Sequence, residues 1–337
     1  MIAIETSQPS LPPGTKEIVI FDTNAYRVAT WGLDFEGART KAVLLRGLER
    51  KAGIFALAGT TVIWELAKHL PDAKDPAHAF CMNAMVALAE HTWSPYGAAQ
   101  QDGVCIFADA ESTICQEMFG SVPPNAEANT RLLRQIAAHI RDSGPNVTDT
   151  NVLRTIKAFA DKMDAIDAAW LVEMGQLIGC FDPALARVWI GGRTDSDVRK
   201  KLRNLFAGAG FRQEWSARQI IANAAVVGIN LSGPEILQKI TDFQRIFEVP
   251  ISMMQKLICL FASDPNVNLH RTKKPWPNMI WDTALAFSIG PYHEIDSAPI
   301  TLVTGDGDIY DAATEAGCSS KVATLGDYFE RVGMPTP

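Results

Sequence analysis

Cysteine is scarce and scattered. The six thiols, Cys81, Cys105, Cys115, Cys180, Cys259 and Cys318, form no C-x-x-C pair, and the histidines show no H-x-x-x-H spacing. Those absences exclude the common zinc frameworks. Dispersed single cysteines suit a reduced compartment better than a disulfide scaffold. Long apolar runs are also lacking. The longest uncharged, largely apolar stretch, Gln219 to Pro234, is too short and too rich in Asn to span a bilayer. Met1 to Gly14 is polar and proline-rich, without a basic or an apolar segment, so it does not read as a signal peptide. The expectation is a soluble, cytoplasmic chain with no membrane partner.

An excess of positive charge is missing too. Lys and Arg number 31 against 38 Asp and Glu, a net charge of −7. That argues against holding nucleic acid by bulk charge alone, but not against a nuclease with a local acidic site. What is present is globular: 47% hydrophobic and 20% charged residues, too apolar for a disordered chain. A length of 337 residues suggests about two domains as a prior. There is no repeat of fixed period and no low-complexity tract.

The position of the charge is more informative than its total. Residues 1–75 and 76–275 each balance to zero. Residues 276–337 carry nine acids against only Lys321 and Arg331. Apolar periodic stretches run through the same segment, which points to a clustered carboxylate site.

Both ends of the chain carry α/β patterns. Glu17 to Phe21 reads as a buried strand that ends at Asp22-Thr23-Asn24. Residues 36–51 have helical spacing with Gly53 as a stop. Ile54 to Ala58 reads as a strand, and Thr60 or Thr61 caps a helix that ends at Pro71. At the other end, 278–289 is an amphipathic helix and 299–304 a strand. Gly305 to Asp308 is a turn, 309–316 a helix, and 321–324 a short last strand. Between the ends, helical spacing dominates at 77–91, 128–142, 150–178, 196–207, 213–228, 234–247 and 250–262.

The expected architecture is α/β. A parallel sheet with flanking helices is built from residues 16–71 and 276–337, after a leader at 1–15. An all-α insertion or lid fills 72–275.

Four carboxylates stand at element ends in the α/β parts: Asp22, Glu65, Asp282 and Asp306, with Asp308 two residues on. Ligands of open parallel sheets bind at the carboxyl ends of strands, where Asp22 and Asp306 both fall. Oxygen ligands without His or Cys suit Mg²⁺ or Mn²⁺.

Four segments, VIFDTN (19–24), TVIWEL (61–66), WDTALAF (281–287) and LVTGDGDIY (302–310), stand in the order of the acidic motifs of PIN-domain nucleases. The chain resembles that family over about 110 residues. The resemblance implies a PIN-like sheet and metal-dependent hydrolysis of phosphodiesters, with RNA the favoured substrate. It implies that Asp22, Glu65, Asp282 and Asp306 hold the metal and that Asp308 joins or supports them. Thr23, Asn24 and Thr304 would orient these ligands by hydrogen bonds. The long interval between Glu65 and Asp282 departs from compact family members. It leaves Asp164 and Asp167 as competitors for the third acid.

Two basic clusters are candidate nucleic-acid contacts. One holds Arg199 and Lys200, with Lys201 and Arg203. The other holds Arg271, Lys273 and Lys274, followed by Trp276 as a stacking platform. Two other classes stay open. The GDGD turn also resembles the last motif of haloacid-dehalogenase-type phosphatases, although Asn24 stands where that family needs an acid. A catalytically inactive interaction module is the third reading. A regulatory protein partner and an oligomer are both compatible with the sequence.

Overall fold

The computed structural model describes residues 11–94, 103–145, 149–191, 196–263, 276–290 and 293–335. Glu17–Phe21 (β1) is buried from Ile18 onward. Its apolar residues do not alternate, because helices cover both faces of the sheet. Phe21 packs edge-on against His91 and Tyr328, with ring centroids 4.8 and 5.2 Å away. Ile20 points to the other face. There a Cβ on Gly59 would lie 3.5 Å from the side chains of both Ile20 and Leu285.

Asp22 ends β1 and caps Thr23–Ala29 (α1). Asp34 caps Phe35–Ala52 (α2), and Gly53 closes it at φ 79°, a left-handed conformation that glycine adopts without strain. Ile54–Gly59 (β2) runs directly into Thr60–Ala67 (α3). His78–His91 (α4) is buried along most of its length. Trp93–Ser94 (β3) and Gly103–Val104 (β4) form a short antiparallel ladder. Ile106–Phe107 (β5) then adds to β2 in parallel.

Helices follow: Ala110–Phe119 (α5), Ala126–Ser143 (α6), Thr150–Phe181 (α7), Pro183–Gly191 (α8), Ser196–Phe206 (α9), Ala209–Val226 (α10), Gly233–Ile246 (α11) and Glu248–Ser263 (α12). The chain then returns to the sheet. Trp276–Ala286 (α13) leads to a hairpin of Glu294–Ile295 (β6) and Ala298–Val303 (β7). Its turn residues Asp296 and Ser297 both have positive φ, 48° and 67°, as two-residue hairpin turns require. Gly307–Glu315 (α14), a 3-10 turn at Ser319–Lys321, Val322–Ala323 (β8) and Leu325–Val332 (α15) follow.

The sheet order is β5-β2-β1-β7-β6, with β8 also paired to β7. All of these pairs are parallel except β6 with β7. The fold is therefore mixed α/β, with a mainly parallel sheet flanked by helices. β1 and β7 are neighbours in the register Phe21↔Val303. The residues that follow them are held level: Asp22 N–H donates to Val303 O at 2.9 Å, and Thr304 N–H donates to Ala323 O at 3.0 Å.

The expected all-helical character of 72–275 does not hold, since β3, β4 and β5 lie in it and β5 is part of the main sheet. These strands are two residues each, too short to show a period of two. The helical segment is fastened to the sheet layers by aromatic contacts. Trp64 of α3 meets Phe159 of α7 with centroids 3.7 Å apart. Phe247 meets Phe243 of α11 at 4.8 Å and Phe287, just after α13, at 5.2 Å. No helix among the described residues is long and apolar enough to cross a membrane.

Candidate functional site

Asp22 sits where the β1–β7 register ends. Its Oδ1 accepts the Ala25 N–H as the cap of α1, and its Oδ2 accepts the hydroxyl of Thr304. The carboxyl is 4% exposed. Burial pushes it up to about 6; the bonds from Thr304, Ala25 and the backbone of Gly305 work against that rise, and the charge of Asp306 adds to it.

Asp306 lies two residues past Thr304. Its N–H donates to Thr304 Oγ1 at 2.9 Å. Its own Oδ1 caps α14 by accepting from Asp308 N–H at 2.7 Å and Ile309 N–H at 3.2 Å. One threonine thus fixes both acids. Glu65 comes from α3, which starts where β2 stops, and its Oε2 accepts the hydroxyl of buried Thr23. The Thr23 bond ties α1 to α3.

Asp282 is in α13 and approaches from the helical side. Burial, then the charges of Asp306, Glu65, Asp22 and Asp308 in that order, push its carboxyl up to about 8. Acids from both ends of the chain therefore lie within electrostatic reach of Asp282. The exposed Asp164 is not among the principal charges acting on Asp282, and the side chain of Asp167 lies outside the described residues. Beside Asp282, Trp281 Nε1 and Thr283 Oγ1 are buried with no hydrogen-bond partner among the described residues.

The chemistry of this set fits a hard divalent cation: carboxylate oxygens only, with no His or Cys. As placed, however, no three His, Cys, Asp or Glu side chains among the described residues stand as a ready metal shell. The acids are near enough to repel one another, and Asp22, Glu65 and Asp306 each give an oxygen to a protein hydrogen bond. A carboxylate oxygen keeps a further lone pair for a cation, and a cation would offset the neighbouring charges that add to the effect of burial on Asp282.

Two of the expected supporting roles have structural partners, those of Thr23 and Thr304. Asn24 does not: it is exposed, and its side chain bonds to no described residue. Lys256 of α12, which sequence spacing did not point to, reaches Asp311 at 2.6 Å and Asp308 at 3.4 Å. Burial opposes its charge, but those two carboxylates outweigh it and raise its pKa. Asp308 is thereby held by an ammonium from the helical segment.

Arg199 is not on a solvated face. It is 5% exposed, and its Nη1 reaches Ala262 O at 3.5 Å. Lys200 beside it is exposed. Arg271, Lys273 and Lys274 lie outside the described residues. So does the side chain of Trp276, the first residue of α13. No family model matches the chain, and comparison with curated proteins and with solved structures returned no match.

Proposed function

We propose that this chain is a divalent-metal-dependent nuclease of the PIN-like kind that hydrolyses phosphodiester bonds in RNA. The observation that supports this reading most is convergence. Asp22, Glu65, Asp282 and Asp306 come from four elements at the two ends of the chain, and the other three all act on Asp282. A Mg²⁺ or Mn²⁺ ion bound here would offset the clustered negative charge and acidify a water for attack on phosphorus.

Asp22, Glu65, Asp282 and Asp306 would hold that ion. Thr304 fixes the rotamer of Asp22, and Thr23 fixes that of Glu65. Both hydroxyls donate to carboxylates and so act to orient them. Asp308, paired with Lys256, supports the turn.

The test is cleavage of an end-labelled single-stranded RNA of about 20 nucleotides by the purified chain, with Mn²⁺, Mg²⁺ or EDTA. Metal-dependent cleavage by the wild type is expected. Asp22→Asn should abolish it while the circular dichroism spectrum is unchanged. Equal cleavage by the two proteins would sink the site assignment. No cleavage of RNA or DNA, with turnover of p-nitrophenyl phosphate, would move the reading to a phosphatase. Inactivity on every substrate would leave an interaction module.

A further inference from the structure

Helix α1 leads away from the acid cluster. Asp22 caps it. Asn24, Val28 and Trp31, the last just past the helix end, follow at i, i+4 and i+7, the spacing of a single helical face. All three are exposed, Val28 at 50% and Trp31 at 71%. Trp31 meets the ring of Phe80 in α4 edge-on, with centroids 4.8 Å apart and planes at 73°. Most of the indole stays open to solvent.

Two cations stand beside this stripe. Arg27 follows Thr23 at i+4 in α1, and Lys68 follows Glu65 at i+3, as the cap of α3. The Thr23–Glu65 bond ties the two helices, so both cations lie one turn beyond it. They also share a neighbour in α4. Arg27 Nη2 meets Cys81 Sγ at 3.2 Å. Burial pushes that thiol up; the charges of Arg27 and Lys68 oppose the rise, and that of Asp75 adds to it. Asp75 is already engaged, by His69 at 2.8 Å and by the Ala77 N–H at 2.8 Å. Arg39, Arg46, Arg141 and Arg212, also part-buried, each meet a carboxylate. Arg27 and Lys68 meet none among the described residues. A part-buried charge is costly unless it is paired. Arg27 Nη1 bonds to no described residue and is not among the buried polar atoms, so a ligand can reach it.

We propose that α1 carries a track for single-stranded RNA, in which Arg27 and Lys68 hold backbone phosphates and Trp31 stacks an unpaired base. The choice of RNA as the occupant rests on the nuclease reading. Cations beside an open aromatic face are what binds single strands without regard to sequence. Trp31 stands nine residues past Asp22, roughly 13 Å at the rise of a helix, so one short strand can touch both. The faces of paired bases are hidden in their own stack, which leaves the track selective for unpaired strands. Arg27 and Lys68 supply locally the positive charge that the chain as a whole lacks.

The test is fluorescence anisotropy of a labelled single-stranded RNA decamer over a salt series, in EDTA so that binding is read without turnover. The variants are Trp31→Ala, Trp31→Phe and Arg27→Met/Lys68→Gln. Wild type should bind saturably. Trp31→Ala should lose roughly tenfold in affinity, and Trp31→Phe should keep most of it. The strand should quench tryptophan emission in wild type and much less in Trp31→Phe. The double variant should flatten the slope of log K against log salt by about 1.4, two phosphate contacts at about 0.7 each. Should its melting temperature fall, Lys68→Gln alone should flatten the slope by about 0.7. Unchanged affinity in Trp31→Ala, or an unchanged slope in the cation variants, overturns the proposal. So does a change in the protein's mass by light scattering in Trp31→Ala without loss of RNA affinity, because Trp31 would then face a second copy. If binding responds as expected but no divalent metal brings cleavage, the nuclease reading fails and the track stands. If metal-dependent cleavage is found and every variant keeps the wild-type KM, the track fails and the nuclease reading stands.

Discussion

The Thr304 hydroxyl donates to Asp22 Oδ2 across 282 positions of sequence, and the same oxygen accepts the Asp306 N–H. A single side chain therefore sets the geometry of two acids from opposite ends of the chain. Thr304→Val keeps the shape and deletes both bonds. A hydrogen bond to a charged group contributes about 1.5–3 kcal/mol. Metal-dependent RNA cleavage should fall at least tenfold, with Thr304→Ser near wild type. Equal rates for the valine and serine variants would show that the hydroxyl does not position Asp22.

Metal should act on stability through Asp282. Its carboxyl is held near 8 by burial and by four neighbouring acids. At pH 8.5 the metal-free protein carries that charge unpaired, so Asp282→Asn should melt a few degrees higher than wild type. Millimolar Mn²⁺ should raise the melting temperature of the wild type, because a ligand of the folded state stabilises it by mass action. The variant should respond much less. Equal Mn²⁺ shifts in the two proteins would remove Asp282 from the metal site.

Away from the site, Glu49 anchors a buried polar chain. Its Oε1 accepts from Tyr328 and its Oε2 from His91 Nε2 at 2.7 Å, while Tyr26 donates to His91 Nδ1 at 2.9 Å. This set of bonds is the one that satisfies every group with a neutral imidazole. All four residues are at most 2% exposed. Leaving the Tyr328 and His91 donors without their acceptor costs about 1–3 kcal/mol each. Glu49→Ala should lower the unfolding free energy measured by urea titration by about that sum, and a loss under about 1 kcal/mol would mean the chain is dispensable.

His293 should give the fold an acid limit. Burial holds its imidazole down at about 4, against the opposing pull of the Ser288 backbone. Between its ordinary value of 6.5 and about 4, the unfolded chain takes up a proton that the folded protein refuses. Stability is therefore present above that window and lost as pH falls through it, by up to about 3 kcal/mol. Urea midpoints from pH 7 to 4.5 should fall more steeply for wild type than for His293→Leu. Parallel slopes would place the acid sensitivity elsewhere.

The strand ends were legible in the sequence because an acid directly after a short apolar run marks where a buried strand meets solvent. That was true of Phe21-Asp22 and of Val303 before Thr304-Gly305-Asp306. What pairs with what was not legible, since nothing local says that β1 lies beside β7. Helix α1 was hidden for a related reason: it begins at the residue after Asp22 and has only seven residues, too few for a period to stand out. The basic run at Arg199 misled because charge masked position. Arg199, Leu202 and Phe206 are all buried, at most 5% exposed, on one face of α9. That spacing of three and four placed Arg199 inside despite its charge. The Lys256–Asp308 pair depends on how α12 packs on α14, which no local pattern encodes.

The pairing of β1 with β7 also sets a timetable. A ribosome makes β1 early and reaches β7 about 280 residues later, at roughly 5–20 residues per second. For tens of seconds one edge of β1 has no permanent neighbour, and an open apolar strand edge invites association with other chains. The same delay keeps Asp22 apart from Asp282 and Asp306 until both have been made. A nascent chain stalled before Asp282 would therefore carry two of the four acids and no assembled cluster.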